Sequence, residues 1–129
     1  FTAILLSRIV VTVTRVFISL KEFDILWKSV GLSDEHLREF ENILIQNPQI
    51  GKVIVGTGGL RKIRWALPGK GKRSGIRILY VDFPKYEVSY FISLIKKNER
   101  DNISVSDKKE IVKIIKQIEQ NYSESIHKK

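Results

Sequence analysis

Hydrophobic residues alternate with polar ones along parts of this chain and recur every three or four residues along others. Residues 9–20 are rich in Val, Ile, Phe and Thr, so they predict a first strand that is buried on both faces. Residues 21–30 predict a short helix that stops at the following glycine. A second helix is predicted to begin after Ser33 as its N-cap and to end at Asn47-Pro48.

The second half of the chain begins with a glycine-rich loop, residues 48–59, and continues as three strands. Short connections between successive strands favour antiparallel pairing, so these three strands predict a meander. Alternation with a period of two puts Val88, Tyr90, Ile92 and Leu94 on one face of the third strand. The predicted strands are residues 60–67, 76–82 and 87–97, joined by a hairpin loop at 68–75 and a turn at 83–85.

A last helix is predicted with Ser106 as its N-cap, because hydrophobic residues recur behind it at helical spacing. The order of strand, two helices, three-stranded meander and helix predicts an α+β domain with an antiparallel sheet. Residues 1–13 are interpreted as an N-terminal extension of unassigned role, 14–122 as the domain and 123–129 as a polar, frayed tail. The hydrophobic stripe of the last helix consists of Ile111, Ile115, Ile118 and Tyr122, widened by Ile114.

Composition adds a strong positive charge to this picture. The 129 residues suffice for one domain with an ordinary core, and 23 Lys and Arg against 14 Asp and Glu give a net charge of +9. Such a charge favours nucleic acid, an acidic protein or an anionic membrane surface as partner. The absence of cysteine excludes disulfides and thiolate metal sites and suits a cytoplasmic protein. The two histidines lie far from the basic residues, which argues against histidine chemistry there.

The positive charges are concentrated in one stretch, between Glu41 and Asp82, that contains no acidic residue. A solvated surface normally mixes both signs of charge. A block of one sign, with Trp65 and Tyr80 interleaved, therefore indicates a surface for a phosphate backbone. The cations of this block are Lys52, Arg61, Lys62, Arg64, Lys70, Lys72, Arg73 and Arg77.

One set of residues in this block and at the end of the third strand forms a longer motif: Asn47-Pro48, Gly51, the run from Gly56 to Ala66, Gly69-Lys70-Gly71-Lys72, Gly75, Arg77, Tyr80 and Lys97-Asn98-Glu99. This motif resembles the RelE/HigB family of bacterial toxins, and most closely its HigB-like branch. The likeness covers residues 14–120, and the chain departs from the branch at Ile95 and Lys96, where an aromatic and a small residue are common. It implies a RelE-like fold and a toxin that cleaves mRNA in the ribosomal A site. It also implies a cognate antitoxin that neutralises the toxin and joins it in repressing their promoter.

Cleavage of RNA by its own 2′-hydroxyl requires removal of the hydroxyl proton, stabilisation of the phosphorane and protonation of the leaving 5′-oxygen. Arginine suits the phosphate because its planar guanidinium matches two oxygens and keeps its charge. The resemblance aligns Arg77 with an arginine that contacts the scissile phosphate, and Lys97 with a basic residue near the leaving group. Lys62 and Arg64 share one face of their strand, and Tyr80 is a candidate for stacking or proton transfer. These five residues are the predicted catalytic group, and no metal or other cofactor is implied because cations stand where a metal would stabilise phosphate.

Each of these positions also has an alternative interpretation, which for Lys62 and Arg64 is an exposed face that binds RNA without chemistry. Arg77 could form an ion pair with Asp82 or Glu87, Lys97 could be a solvated strand end, and Tyr80 could be packed in the sheet. A second group is predicted to bind RNA or the ribosome, with Arg61 also a candidate for the antitoxin. Its loop cations Lys70, Lys72 and Arg73 are expected to make salt-dependent backbone contacts rather than to take part in chemistry. This group consists of Arg61, Trp65, Lys70, Lys72, Arg73 and Lys96. Arg61 is predicted to point away from Lys62, and Trp65 could instead belong to the hydrophobic core.

Two other functions stay open at the level of sequence. A ParE-like inhibitor of DNA gyrase would share the fold but lack the ribonuclease cluster, and Arg77 with the Lys62/Arg64 face argues against it. A nucleic-acid-binding domain without enzymatic activity would need only the basic block, because that block alone provides electrostatic binding to phosphates.

Overall fold

The computed structural model describes residues 4–11, 15–66, 75–96 and 103–127. Within these residues the chain forms six strands and three α-helices, which confirms the predicted α+β class. In chain order they are β1 (Leu6–Val11), β2 (Val16–Leu20), α1 (Lys21–Ser29), α2 (Asp34–Gln46), β3 (Lys52–Val53), β4 (Arg61–Trp65), β5 (Ile76–Phe83), β6 (Val88–Lys96) and α3 (Val105–His127), with a 3-10 turn at Pro84–Tyr86.

A single sheet contains these strands in the order β1-β2-β6-β5-β4-β3. β4, β5 and β6 pair antiparallel, as predicted for the meander. β2 pairs parallel with β6, from Val16–Val88 to Ser19–Phe91, so the prediction of an antiparallel sheet is wrong at this pairing. The sequence pattern could not show it, because the path of the chain between two distant strands decides the direction in which they pair.

The N-terminal residues form two strands where the sequence predicted one. β1 and β2 pair antiparallel, with Val10 opposite Phe17 and Val11 opposite Val16, so the chain reverses between them. The stretch between them, Thr-Val-Thr, contains none of the glycine, proline or asparagine that mark a turn, and the reversal was therefore missed. β1 lies within the predicted extension 1–13, yet it is an edge strand of the sheet.

Both faces of the sheet are covered by helices, and this burial explains the nearly continuous hydrophobic runs of β5 and β6. α1 and α2 cover one face, called here the α1–α2 face, where the rings of Phe40 and Phe91 lie 5.1 Å apart. α3 covers the other face, called the α3 face. The three isoleucines of its predicted stripe are buried there, and Tyr122 packs edge-on against Tyr90.

A β-bulge in β6 changes which residues share a face. Leu79 lies opposite Ser93 and Tyr80 lies opposite Phe91, so Ile92 is an extra residue in the ladder. Beyond this point the alternation is reversed. Leu94 therefore packs in the α1–α2 layer, while Ile92 packs under α3, and the prediction that they share a face is wrong.

The helix ends follow capping chemistry in part. Ser33 caps α2 as predicted, and His36 completes a reciprocal capping box with it. α3 begins earlier than predicted, because Ser104 rather than Ser106 accepts a hydrogen bond from the backbone N–H of Asp107, at 3.1 Å. α3 also continues through residue 127, so most of the predicted frayed tail is helical.

Candidate functional site

The pairing of β3, β4 and β5 brings four cations to the α3 face of the sheet. Arg64 lies directly opposite Arg77, and Lys62 lies opposite Leu79, a residue of the α3 layer. Lys52 of β3 lies opposite Lys62. Because directly opposed residues share a face, all four side chains are on one side, where they line a cleft of about 290 Å³. We call it the basic cleft: Lys52, Lys62, Arg64 and Arg77.

Exposure increases along the basic cleft from the centre of the sheet to its edge. Arg77, on the inner strand β5, is only 8% exposed, whereas Arg64 and Lys52 are exposed and Lys62 is half-buried. Arginine suits the buried end because it keeps its charge where lysine would tend to lose it. The confirmed shared face of Lys62 and Arg64 thus leads from solvent to Arg77.

The turn between β3 and β4 sets the position of Lys52 in this cleft. The residues Gly56, Gly58 and Gly59 have positive φ angles of 83°, 78° and 114°, which a residue with a side chain rarely adopts. Between them, the buried hydroxyl of Thr57 donates to the Ile54 carbonyl at 2.6 Å and accepts from the Leu60 N–H at 3.1 Å. The glycines and Thr57 therefore form the tight turn that lays β3 against β4.

Asp82, a predicted ion-pair partner of Arg77, lies on the α1–α2 face and is engaged by other residues. Its Oδ1 atom accepts hydrogen bonds from Arg15 Nη2 and, at 3.0 Å, from Ser89 Oγ. Burial raises the pKa of this carboxyl, and the charge of Arg15 opposes that effect. Asp82 thus neutralises Arg15 rather than the basic cleft.

Of the two interpretations of Tyr80, a catalytic residue or a tyrosine packed in the sheet, the contacts of its side chain fit the second. It is fully buried on the α1–α2 face, on the side of the sheet opposite Arg77. Its hydroxyl accepts from the Gly51 N–H at 2.8 Å and donates to the Pro48 carbonyl at 3.0 Å. Burial also raises its pKa. The structure therefore corrects the assignment of Tyr80 to the catalytic group, because its hydroxyl is enclosed and faces away from the cleft.

Two predicted binding residues also lie on the α1–α2 face. Arg61 points away from Lys62, as predicted, and its Nη1 donates to the carbonyls of Gln49 and Gly51 at 3.1 and 2.7 Å. Trp65 is half-buried and packs edge-on against Phe40, with ring centroids 5.6 Å apart. Their contacts here are structural, and any contact with RNA or the ribosome stays a prediction.

The remaining predicted residues lie at or beyond the ends of the described segments. Lys96 is the exposed last residue of β6, opposite Ile76, and its contact with RNA stays a prediction. Lys97, Lys70, Lys72 and Arg73 lie outside the described residues. Among the described residues, no three His, Cys, Asp or Glu side chains are grouped closely enough to hold a metal ion.

Lys52 is the member of the basic cleft that sequence reasoning did not assign to the site. β3 is only two residues long and lies in a glycine-rich stretch that reads as a loop, so no alternation identified the face of Lys52. The signal that could have found it is the Gly-Thr-Gly-Gly turn, which implies a hairpin and hence a strand before it.

A model of the RelE toxin of the RelE/RelB toxin–antitoxin system matches residues 14–129, which is most of the chain. The chain belongs to the RelE toxin family. Its fold is accordingly RelE-like, and the predicted family is confirmed. Toxins of this family are generally endoribonucleases that inhibit translation, and each has a cognate antitoxin. The narrower HigB-like branch stays a prediction. None of the helices in the described residues has the length and hydrophobicity needed to cross a membrane.

Proposed function

We propose that this RelE-family toxin is a ribosome-dependent endoribonuclease of the HigB-like branch, which cleaves mRNA in the A site and so inhibits translation. The observation that supports this proposal is the basic cleft, in which Arg77 and Arg64 lie side by side on adjacent strands. Two guanidinium groups on one face can hold one phosphate through several oxygens at once.

In the proposed reaction, three residues of the basic cleft act together with Lys97, which lies outside the described residues. The 2′-oxygen attacks phosphorus, the bond from phosphorus to the 5′-oxygen breaks, and a 2′,3′-cyclic phosphate and a 5′-hydroxyl result. Arg77 and Arg64 stabilise the negative charge that develops on the phosphorane oxygens. We assign removal of the 2′-proton to Lys62 and protonation of the leaving oxygen to Lys97.

The composition of the basic cleft supports the proposed dependence on the ribosome. The cleft residues that the structure describes are all cations, and none of these four is the His, Asp or Glu that serves as a strong general base at neutral pH. An enzyme without a strong general base depends more on a substrate that is already held in a reactive geometry, because correct orientation lowers the barrier. The ribosome can hold mRNA in this way.

Family membership supports a cognate antitoxin as partner, and the other partners are part of this proposal. We propose that the toxin acts in the cytoplasm on the 70S ribosome and mRNA, without a metal, and that a cognate antitoxin neutralises it. We further propose that operator DNA is a partner of the toxin–antitoxin complex only.

The test is primer extension on an mRNA incubated with the toxin in a purified translation system, in parallel with the same mRNA without ribosomes. New 3′ ends that appear only with ribosomes are expected. Equal cleavage of free mRNA would contradict ribosome dependence. Without any cleavage, inhibition of gyrase supercoiling would favour the ParE-like alternative, and salt-dependent RNA binding alone would favour the non-enzymatic one.

A further inference from the structure

Lys52 lies at the end of the basic cleft that is farthest from Arg77. It is two strands away from Arg77 in the sheet, and its partner Lys62 lies two residues along β4 from Arg64. With strands about 4.8 Å apart and a rise of about 3.4 Å per residue, the backbone positions of Lys52 and Arg77 are separated by about 12 Å. Lys52 is also exposed, whereas Arg77 is buried. The two cations are thus at opposite ends of a row.

The backbone just before Lys52 is fixed from the opposite face of the sheet. The N–H of Gly51 donates to the Tyr80 hydroxyl at 2.8 Å, and its carbonyl accepts from Arg61 Nη1 at 2.7 Å. A Cβ atom at Gly51 would lie 2.6 Å from Cε1 of Tyr80, so this close approach requires glycine. Both polar groups of the preceding residue are therefore held by side chains of β4 and β5.

We propose that Lys52 binds an RNA phosphate next to the scissile one, and that Tyr80 and Arg61 position it through Gly51. This inference rests on the proposed function, since it takes the pair of Arg77 and Arg64 as the site of the scissile phosphate. A row of cations on one face of a sheet can follow an extended RNA backbone over more than one phosphate. Lysine at the exposed end acts as a point charge, which suits a binding contact rather than chemistry.

The expected effect of Lys52→Ala can be worked from counterion release. One phosphate contact on single-stranded nucleic acid contributes about 0.7 to the slope of log affinity against log salt. Losing this contact should reduce the magnitude of the slope by about 0.7. If the variant and the wild type bind equally at 1 M salt, the variant should therefore bind about fivefold more weakly at 0.1 M salt. The probe is a 2′-O-methyl RNA oligonucleotide, which binds without being cleaved. Lys21→Ala is the matched control, because Lys21 is an exposed lysine at the start of α1, in the other layer.

The positioning role is tested by a double-mutant cycle with Tyr80→Phe, which removes the hydroxyl and keeps the ring. Tyr80→Phe should weaken RNA binding when Lys52 is present and have no further effect in the Lys52→Ala background. A merely structural role would weaken binding equally in both backgrounds, and that result would overturn the positioning role. A second cycle with Arg61→Gln tests the hydrogen bond from Arg61 to the Gly51 carbonyl in the same way. Thermal unfolding of each variant shows that it is folded.

Cleavage in the translation system separates this inference from the proposed function. Lys52→Ala should raise KM and leave kcat within about twofold, because a distant phosphate contact contributes equally to the ground state and the transition state. An unchanged salt slope, or a fall in kcat without a rise in KM, would overturn the role of Lys52 even if the wild type cleaves. If the wild type does not cleave but Lys52→Ala still lowers the slope, the proposed function fails while the phosphate contact stands.

Discussion

Replacing Arg8 by alanine tests whether β1 is part of the folded domain. Arg8 Nη1 lies 2.7 Å from Glu41 Oε2 and joins β1 to α2 across the α1–α2 face. The Glu41 side chain is 5% exposed and that of Arg8 is 23% exposed. Arg8→Ala therefore leaves a buried carboxylate without its nearest cation.

The expected loss of stability follows from this burial. Removing one partner of a fully buried ion pair costs about 3–5 kcal/mol. Water reaches Arg8 in part, so we expect a loss of about 2 kcal/mol for this pair. For a chain of this length that loss corresponds to a fall in Tm of about 8 °C. Lys28→Ala, which removes a lysine that is 66% exposed and paired with Asp24, should stay within about 0.5 kcal/mol of the wild type.

The loss should also depend on pH in a fixed direction. Burial raises the pKa of Glu41 above its usual value of 4.5, and Arg8 opposes this effect, so Arg8→Ala raises the pKa further. A carboxyl whose pKa is higher in the folded state binds protons more tightly there. Stability therefore falls as the pH rises from the unfolded-state pKa through the folded-state pKa. Urea unfolding of both proteins should show a deficit that grows between pH 4 and pH 7. An unchanged midpoint, or a deficit that shrinks over this range, would refute the role of Arg8.

Two further substitutions test the corrected details of the fold. Ser104→Ala should cost about 1 kcal/mol in a urea titration, because it removes the N-cap of α3, whereas Ser106→Ala should change stability by less than about 0.5 kcal/mol. Equal effects of both would contradict the observed helix start. Gly51→Ala should lower the free energy of unfolding by about 1–3 kcal/mol, because its Cβ would lie 2.6 Å from the Tyr80 ring. Tm by calorimetry checks this value, and a wild-type Tm would show that the loop moves without cost.

Local patterns predicted most elements of the fold. The helices, the meander and the stripe of α3 follow from periodicity and capping, which depend on residues close together in sequence. The parallel pairing of β2 with β6 and the bulge at Ile92 depend on contacts between distant segments, and the sequence pattern carries no signal for them. The reversal before Val16 was missed because no residue there favours a turn.

The period-two alternation of strands predicted the face of some candidate-site residues but not of all of them. Period-two spacing correctly put Lys62 and Arg64 on one face and Arg61 on the other. The spacing of Tyr80 from Arg77 is three residues, an odd number, so alternation alone already places them on opposite faces. The face of Lys52 could not be predicted by alternation because β3 is only two residues long, although the glycine-rich turn after it indicates a strand there.

The rate of mRNA cleavage on translating ribosomes by wild type, Arg77→Ala and Arg38→Ala tests the role of the basic cleft most directly. Arg38 is an exposed arginine of α2, in the other layer, and serves as the matched control. Arg77→Lys keeps a charge without the planar fork, and thermal unfolding establishes that each variant is folded. If Arg77 stabilises the transition state, Arg77→Ala should slow cleavage about 100-fold or more. Arg77→Lys should recover only part of that rate, and Arg38→Ala should match the wild type. A folded Arg77→Ala protein that cleaves within a few-fold of the wild type would contradict the assignment of the basic cleft as the active site.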